Sequence, residues 1–417
     1  MGCVSSSSTP PNTGFFGIGY AVQGYAPYLQ ALGANWVKVP LVAWGLIEKT
    51  PPREGKHFYD WTKLDKIVRE YENAHSSLLL VVKASSPWAS EKFAGWRKSY
   101  PPKKEYWDDY YAFINALVER YDGDGYNDMP GLRYPVLYYE IESEAEHPCF
   151  WAGTDEEYIH LLKTAYTAAK AANPNCKIVL AGINLRGDPI NFPHQYQFIR
   201  KTLLAIEWYD AIDYHYNGNY TDAYVEIRTL RKLIPHHKEI MAGDVSSIPL
   251  ISNQTILRKI AEGDPNTIRW LRKTQASIIV KKTIIAADLN MSKVFIESVR
   301  DFPITAYPHL KKECWWYAGL LNDDRTPRLG FYAYQFLISK LKDFRKVERI
   351  ITNENNTYLY KIIRDNGSVL YVAWHEKGTT SLSLSQCERI IVQPLLGNAQ
   401  TTSTIRLNST PVFIECG

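Results

Sequence analysis

Two short runs carry the carboxylates best placed for chemistry. Tyr139–Glu–Ile–Glu–Ser–Glu–Ala145 reads as a buried strand ending in Glu144, and Phe150–Trp–Ala–Gly–Thr154 then leads into a capped helix. Further on, Glu239–Ile–Met–Ala–Gly–Asp–Val245 ends another strand at Asp244. The C-terminal lip of a parallel strand is where a barrel enzyme places its acids. Two such acids suit cleavage of a glycosidic bond: one protonates the leaving oxygen, and the other attacks the sugar or activates a water. An Asp stands where a Glu is expected, and the missing methylene draws that carboxylate back by roughly 1 Å. Retaining pairs lie about 5–5.5 Å apart and inverting pairs about 6.5–9.5 Å, so Asp244 governs which chemistry is open.

Alternation along a strand puts Glu140, Glu142 and Glu144 on one face. If that face points into a barrel, Glu140 and Glu142 need cationic partners, because a buried unpaired carboxylate is costly. Lys38 and Lys83, on the two preceding strands, are the candidates. Glu144 differs by sitting at the lip, before a loop that can admit substrate.

The elements that must position these residues recur regularly. β-rich apolar runs fall at Phe15–Gly19, Asn35–Val42, Leu78–Ala84, Val136–Ser143, Lys177–Ile183, Ala211–Tyr216, Glu239–Val245 and Lys293–Val299. Amphipathic stretches such as Trp61–Tyr71, Trp107–Tyr121, Thr154–Ala172 and Ile268–Leu289 lie between them. Eight strand–helix alternations predict an α/β fold, a (β/α)8 TIM barrel over residues 14–344, closed by the helix Phe331–Leu341. The period then changes. Tyr358–Ile363, Val369–Trp374, Ser381–Leu384, Arg389–Val392 and Val412–Glu415 alternate between turns such as Asp365–Asn–Gly367. They predict a small C-terminal antiparallel β-sandwich over 345–417, packed on the barrel side, with carbohydrate binding as its alternative role.

Composition bounds the rest. The 417 residues are 45% hydrophobic and 22% charged, and the net charge of +4 is dispersed, which argues against nucleic acid or a membrane surface as partner. No apolar run is long enough to span a membrane. The 29 Tyr and 12 Trp would suit sugar subsites, although large barrels bury many aromatics too. Six cysteines (Cys3, Cys149, Cys176, Cys314, Cys387, Cys416) have no metal-ligand spacing and read mostly as buried free thiols. No metal, nucleotide or other cofactor motif is visible. Residues 1–13 read as a flexible tether. Met1–Gly–Cys–Val–Ser5 resembles the mature end of a bacterial lipoprotein, with Cys3 lipidated and the chain at the cell surface or outside the cell. An N-myristoylation pattern (Gly2 with Ser6) and a cloning remnant are the other readings.

With Glu157–Tyr158, Leu161–Leu162 and Ala169–Lys–Ala–Ala–Asn–Pro174, the Glu140–Thr154 region resembles the strand-4 region of the retaining glycoside hydrolases of clan A. Within that clan the chain is most similar to the family 39 type, the β-xylosidase, α-iduronidase and exopolysaccharide-endoglycosidase group. The likeness extends through Gly33–Ala–Asn–Trp–Val–Lys–Val39 with Trp44, Tyr59–Asp–Trp61, Ser86–Pro–Trp–Ala–Ser90, Tyr209–Asp–Ala–Ile–Asp–Tyr–His215, Gly319–Leu–Leu–Asn322, Arg325–Thr–Pro–Arg328 and the closing β domain.

The resemblance implies a carbohydrate substrate, Glu144 as general acid/base and Asp244 as nucleophile. It also implies departures. Ser143 stands for the family's Asn, Gly243 for a Thr, Lys38 for an Arg without the planar fork, and Asn217 for a Tyr that Tyr216 or Tyr220 could replace. His215 is kept. Ile296–Glu297 stands where an aromatic platform is usual, which makes Glu297 a third acid near the cleft. Trp88, Trp151 and Trp315 complete the expected subsites. Glu144 is expected to have its pKa raised by apolar surroundings and by the second acid. The alternatives are an inverting glycosidase with Asp244 as general base, and a barrel that binds glycan without hydrolysing it.

Overall fold

The computed structural model describes residues 14–93, 98–185, 193–301, 317–354, 356–385 and 387–416. Eight parallel strands close into a barrel: β1 (Phe16–Ile18), β2 (Trp36–Ala43), β3 (Ser77–Lys83), β4 (Tyr138–Ser143), β5 (Lys177–Ile183), β6 (Ala211–Tyr216), β7 (Glu239–Val245) and β8 (Val294–Ile296), with β8 paired back to β1. The helices Thr62–Asn73, Trp107–Glu119, Asp155–Ala172, Pro193–Leu204, Asp222–Leu233 and Pro265–Asp288 wrap the outside, and Leu329–Leu341 completes the ring. This is the (β/α)8 barrel expected from the alternation, with β5, β6 and β7 at the expected bounds and the ends of the other strands shifted by at most three residues. The loop after β4 is fixed by the start of the next helix. The Thr154 hydroxyl accepts from the Glu157 N–H at 3.1 Å while the Glu157 carboxylate accepts from the Thr154 N–H at 2.8 Å, a reciprocal cap.

Inside the barrel the side chains stack in layers. Trp36, Leu79, Val179, Ala211, Met241 and Phe295 form an apolar plug toward the N-terminal end of the strands. One pleat further along β2, β4 and β6 the inward positions become Lys38, Glu140 and Asp213, all buried. The strands place them there by simple alternation from Trp36, Tyr138 and Ala211. A charged layer therefore rests on a dry apolar one.

The C-terminal part forms a six-stranded antiparallel sheet ordered β14-β13-β16-β11-β10-β9, comprising β9 (Phe344–Glu354), β10 (Thr357–Arg364), β11 (Val369–His375), β13 (Ile390–Pro394), β14 (Gln400–Thr402) and β16 (Val412–Cys416). A second sheet pairs β12 (Thr380–Leu382) with β15 (Ile405–Leu407). Alternation again sorts the faces. Tyr358, Tyr360, Ile362, Val372 and Trp374 join the main core against the barrel, whereas Leu359, Tyr371, Ala373 and Ile414 face Ile405 and Leu407 across the sandwich. A polar tie reinforces the docking: Lys281 and Tyr220 both reach the Glu376 carboxylate, at 2.6 and 2.5 Å. Strand β9 is absent from the expected elements, and so are the short β14 and β15.

The described cysteines are not mostly buried free thiols, as their spacing suggested. Cys387 and Cys416 form a disulfide, Cys149 is exposed, and Cys176 alone of the described cysteines is a buried thiol. Cys416 closes β16, an interior strand of the larger sheet, so the bond staples the Cys387 loop to the sheet across a sequence separation of 29. Cys3 and Cys314 lie outside the described residues, as does the whole 1–13 tether. Replacing both Cys387 and Cys416 with Ser should lower stability by about 2–4 kcal/mol, by releasing loop entropy to the unfolded chain. Urea titrations of the two proteins, with and without reductant, read this. Identical curves would show that the bond does not form in solution.

Candidate active site

The C-terminal ends of β4, β6 and β7 bring three side chains together. His215 ends the inward face of β6, and its Nδ1 lies 2.7 Å from Glu144 Oε1. Its Nε2 lies 3.5 Å from Asp244 Oδ2 and 3.7 Å from Asp213 Oδ2. Below them the Lys38 ammonium sits 2.5 Å from Asp213 Oδ2, 3.1 Å from Glu140 Oε2 and 3.5 Å from Asp244 Oδ1. Glu142 is paired as expected, with Lys83 at 3.0 Å and the Ala84 N–H at 2.7 Å. Both lysines nominated from sequence thus serve the acids of β4.

Alternation alone would turn Asp244 away from the barrel, since Glu239, Met241 and Gly243 share the inward face. The register resolves this. Tyr214 pairs with Ala242 but His215 pairs with Asp244, so one extra residue, Gly243, is inserted. Such a bulge re-aims the next side chain, here toward His215. It also requires Gly: a Cβ on Gly243 would lie 1.9 Å from both Asp213 oxygens. On the neighbouring strand a Cβ on Gly182 would lie 1.8 Å from His215 Nε2. At the end of β4 the backbone is strained instead. Glu142 and Glu144 adopt φ of 65° and 48°, left-handed values that cost a non-glycine residue of order 1 kcal/mol or more.

The protonation pattern follows from burial and from two cations among several carboxyls. Burial raises Glu144, but the hydrogen bond and charge of His215 outweigh it and hold its carboxyl below the usual range. This reverses the expectation of a raised Glu144. His215 is pushed well up: burial opposes its charge, yet Asp244, Asp213 and Glu144 prevail. Asp244 is raised, mainly by burial, against the pull of Lys38 and His215. Burial and the Asp244 charge push Glu297 up to about 8, and burial pushes Glu140 up to about 8 despite Lys38. The surplus carboxyls keep their protons because each cation is already shared.

Three neighbours were not singled out in the sequence. Asp213 lies within the Tyr209–His215 run, and counting back one pleat from His215 would have placed it inward. Tyr20, at the end of β1, has its phenol in the field of Asp244, Lys38, Glu144 and Glu297. Glu146, two residues past Glu144, is buried and pushed up to about 8 by burial and by Glu144, and its Oε1 accepts from the Asn184 N–H at 2.9 Å. Neither of these last two has a pattern signal.

Other expected site residues lie elsewhere. Tyr216 is fully buried on the outer side of β6, its hydroxyl donating to the Tyr220 carbonyl and its ring under the Lys282 ammonium, so it cannot touch a ligand in the cleft. Trp151 is likewise buried, donating to the Thr154 carbonyl at 3.1 Å and packed edge-on against Tyr158. Trp88 is half-buried against Trp44 and Tyr106, with its Nε1 on the Glu48 carbonyl. Ser143 is half-buried beside Glu144, opposite Gly182. Glu297 is at the site, and Trp315 lies outside the described residues.

Glu140, Asp213 and His215 converge closely enough to hold an ion, but the Lys38 ammonium already stands among those oxygens. Asp122, Asp124 and Asp128 also converge, in an exposed loop where they accept backbone N–H groups of Gly123, Asp124, Gly125 and Tyr126.

No family model and no curated protein matches the sequence. Solved structures do resemble the fold. A family 39 glycoside hydrolase from Bacteroides cellulosilyticus superposes with a TM-score of 0.69 at 15% identity, over 96% of this chain and 80% of the other. A monomeric β-xylosidase from Caulobacter crescentus gives 0.61 at 13% identity over 98% and 97%. A family 30 endoxylanase from Clostridium papyrosolvens gives 0.57 at 12% identity over 97% and 96%. The barrel and its closing sandwich are the architecture of these structures.

Two outcomes test the site's packing and charge. Gly243→Ala should cost about 1–3 kcal/mol through the clash with Asp213. Adding Asp213→Ala should recover part of that cost, a coupling read from a double-mutant cycle of denaturation free energies. Strict additivity would show that the two positions do not touch. For Glu297, between its unfolded value near 4.5 and its folded value of about 8, the folded chain holds a proton that the unfolded chain releases, so its contribution to stability falls as pH rises through that window. Glu297→Gln removes this dependence. The variant should gain about 1–4 kcal/mol relative to the natural chain between pH 5 and 9. A constant difference across that range would contradict the buried, protonated Glu297.

Proposed function

We propose that this chain is a glycoside hydrolase acting on an oligo- or polysaccharide, with Glu144 delivering the proton and Asp244 as its partner. The observation that carries the reading is the placement of two carboxyls, from the lips of β4 and β7, on the two nitrogens of His215. The solved structures of the same fold, described as glycoside hydrolases and xylosidases, support it.

In the resting site the proton lies on His215, one 2.7 Å hydrogen bond from Glu144. As the leaving oxygen gains charge, Glu144 passes a proton to it and draws on the imidazolium, so the dyad acts as the general acid. In the retaining course Asp244 attacks the anomeric carbon, and Glu144 then activates the water that releases the sugar. The second reading, inversion, is favoured by one specific observation. The two carboxyls lie on different nitrogens of His215 rather than on each other, and the Asp on β7 is one methylene shorter than a Glu, which suits the wider spacing of an inverting pair. The Cys387–Cys416 bond suits an oxidising compartment, which supports work outside the cytosol.

Purified protein screened against aryl glycosides and polysaccharides should show turnover that falls about 10²–10⁴-fold in Glu144→Gln. Asp244→Asn should be equally impaired. Unchanged turnover in Glu144→Gln would remove it as the acid. If only Asp244→Glu turns substrate over, the natural chain binds glycan without cleaving it. Proton NMR of the first-formed anomer assigns retention or inversion.

A further inference from the structure

At the opposite end of the barrel from Glu144, a cleft of about 520 Å³ opens where the helix Asp222–Leu233, the turn before β8 and strand β9 meet. Its walls carry Arg228, Arg231, Arg349 and His236, with Asp288 as the one acid. Tyr224, Arg228 and Arg231 recur at helical spacing and so share one face. Arg349 comes from β9 and lays its guanidinium over the Tyr224 ring at 4.0 Å. Arg231 is held by the Lys238 carbonyl at 2.7 Å.

What distinguishes the cleft is its unbalanced charge. Elsewhere guanidinium groups removed from solvent are paired closely with a carboxylate, as in the half-buried Arg120 with Asp65 and the buried Arg328 with Asp301, both at 2.6 Å. Among the described residues, none of the three cleft arginines is within ion-pair distance of a carboxylate. Asp288 is already engaged, accepting from the Arg349 backbone N–H at 2.9 Å and from the Tyr224 hydroxyl at 3.0 Å. Two arginines are thus fixed in place with donors to spare, and the exposed Arg228 stands beside them. Guanidinium forks match the planar or tetrahedral oxyanions of carboxylate and sulfate. The volume lies within the range of small-ligand sites and exceeds what a bare inorganic ion fills.

We propose that this cleft binds an acidic saccharide unit, a uronate or a sulfated sugar, through its oxyanion, as a non-catalytic site at the seam between barrel and β domain. That the occupant is a saccharide rests on the function proposed above, whereas the preference of the cleft for an oxyanion does not. Charge recognition of this kind weakens with salt.

The test is calorimetric titration of the full chain at low salt. The probes are a uronate-containing disaccharide, a sulfated disaccharide, their neutral counterpart and inorganic sulfate. An acidic disaccharide should bind, with affinity at least tenfold lower in Arg228→Gln and in Arg349→Gln and unchanged in the remote control Arg258→Gln. The neutral sugar should not bind. Arg228 is exposed on its helix, so its variant keeps the test valid even if Arg349→Gln disturbs β9. Equal binding by the neutral sugar would overturn the proposal, as would no binding of either acidic probe, or affinity unaltered by Arg228→Gln. Inorganic sulfate binding as tightly as the sugars would reduce the cleft to an ion site and overturn the saccharide assignment.

Discussion

The Lys38 ammonium is the contact on which the rest of the site depends. It stands at the centre of the barrel above a dry apolar plug, among Asp213, Glu140 and Asp244. A cation taken out of water at such a depth is tolerated only with close counter-charges, and removing one partner of a buried pair typically costs about 3–5 kcal/mol. Asp213 answers that need at 2.5 Å, but its carboxyl fills the space beside β7. Gly243 follows from that: no side chain fits there, and the bulge it permits turns Asp244 inward. His215 imposes the same condition on Gly182. A Gly that reads in sequence as the loss of a family residue is thus the steric consequence of a charge placed one strand away.

Much of the architecture was legible because it rests on local periodicity. All eight barrel strands are at their expected positions, and so are the principal strands of the sandwich. The missing β9 explains itself: Phe344–Glu354 carries Arg345, Lys346, Glu348 and Arg349 among its apolar residues and reads as a polar connector. Its strand character comes from pairing with β10, a tertiary cause. The disulfide was invisible for a related reason. Spacing does not disclose connectivity, and the two cysteines meet only once β16 lies in the larger sheet.

The site was legible where side chains obey the strand period and illegible where the period breaks. Lys38, Glu140 and His215 follow the pleat. Asp213 was readable by the same count. Tyr216 follows it too, and the count turns it outward, so an aromatic residue next to His215 in sequence is remote from it in function. Asp244 escapes the rule through the bulge at Gly243, and its inward aim could be inferred only from the family likeness. Tyr20 lies beyond the last residue of β1, where no periodicity applies.

The position of His215 changes how a pair of acids would have to work. When two carboxyls face each other directly, the charge of one raises the pKa of the other and so selects the acid. Here a protonated imidazole takes the space between them. It offsets the repulsion, holds Glu144 ionised and leaves burial to raise Asp244. On the proposed reading, the proton needed for hydrolysis is then stored on nitrogen rather than on Glu144, the carboxyl proposed to deliver it. That arrangement is productive only if a substrate shifts the balance, by excluding water from Glu144 and by presenting a leaving oxygen that gains negative charge. Both effects favour moving the proton along the 2.7 Å hydrogen bond. The imidazole would then be both the spacer between the two acids and the reservoir that makes one of them an acid.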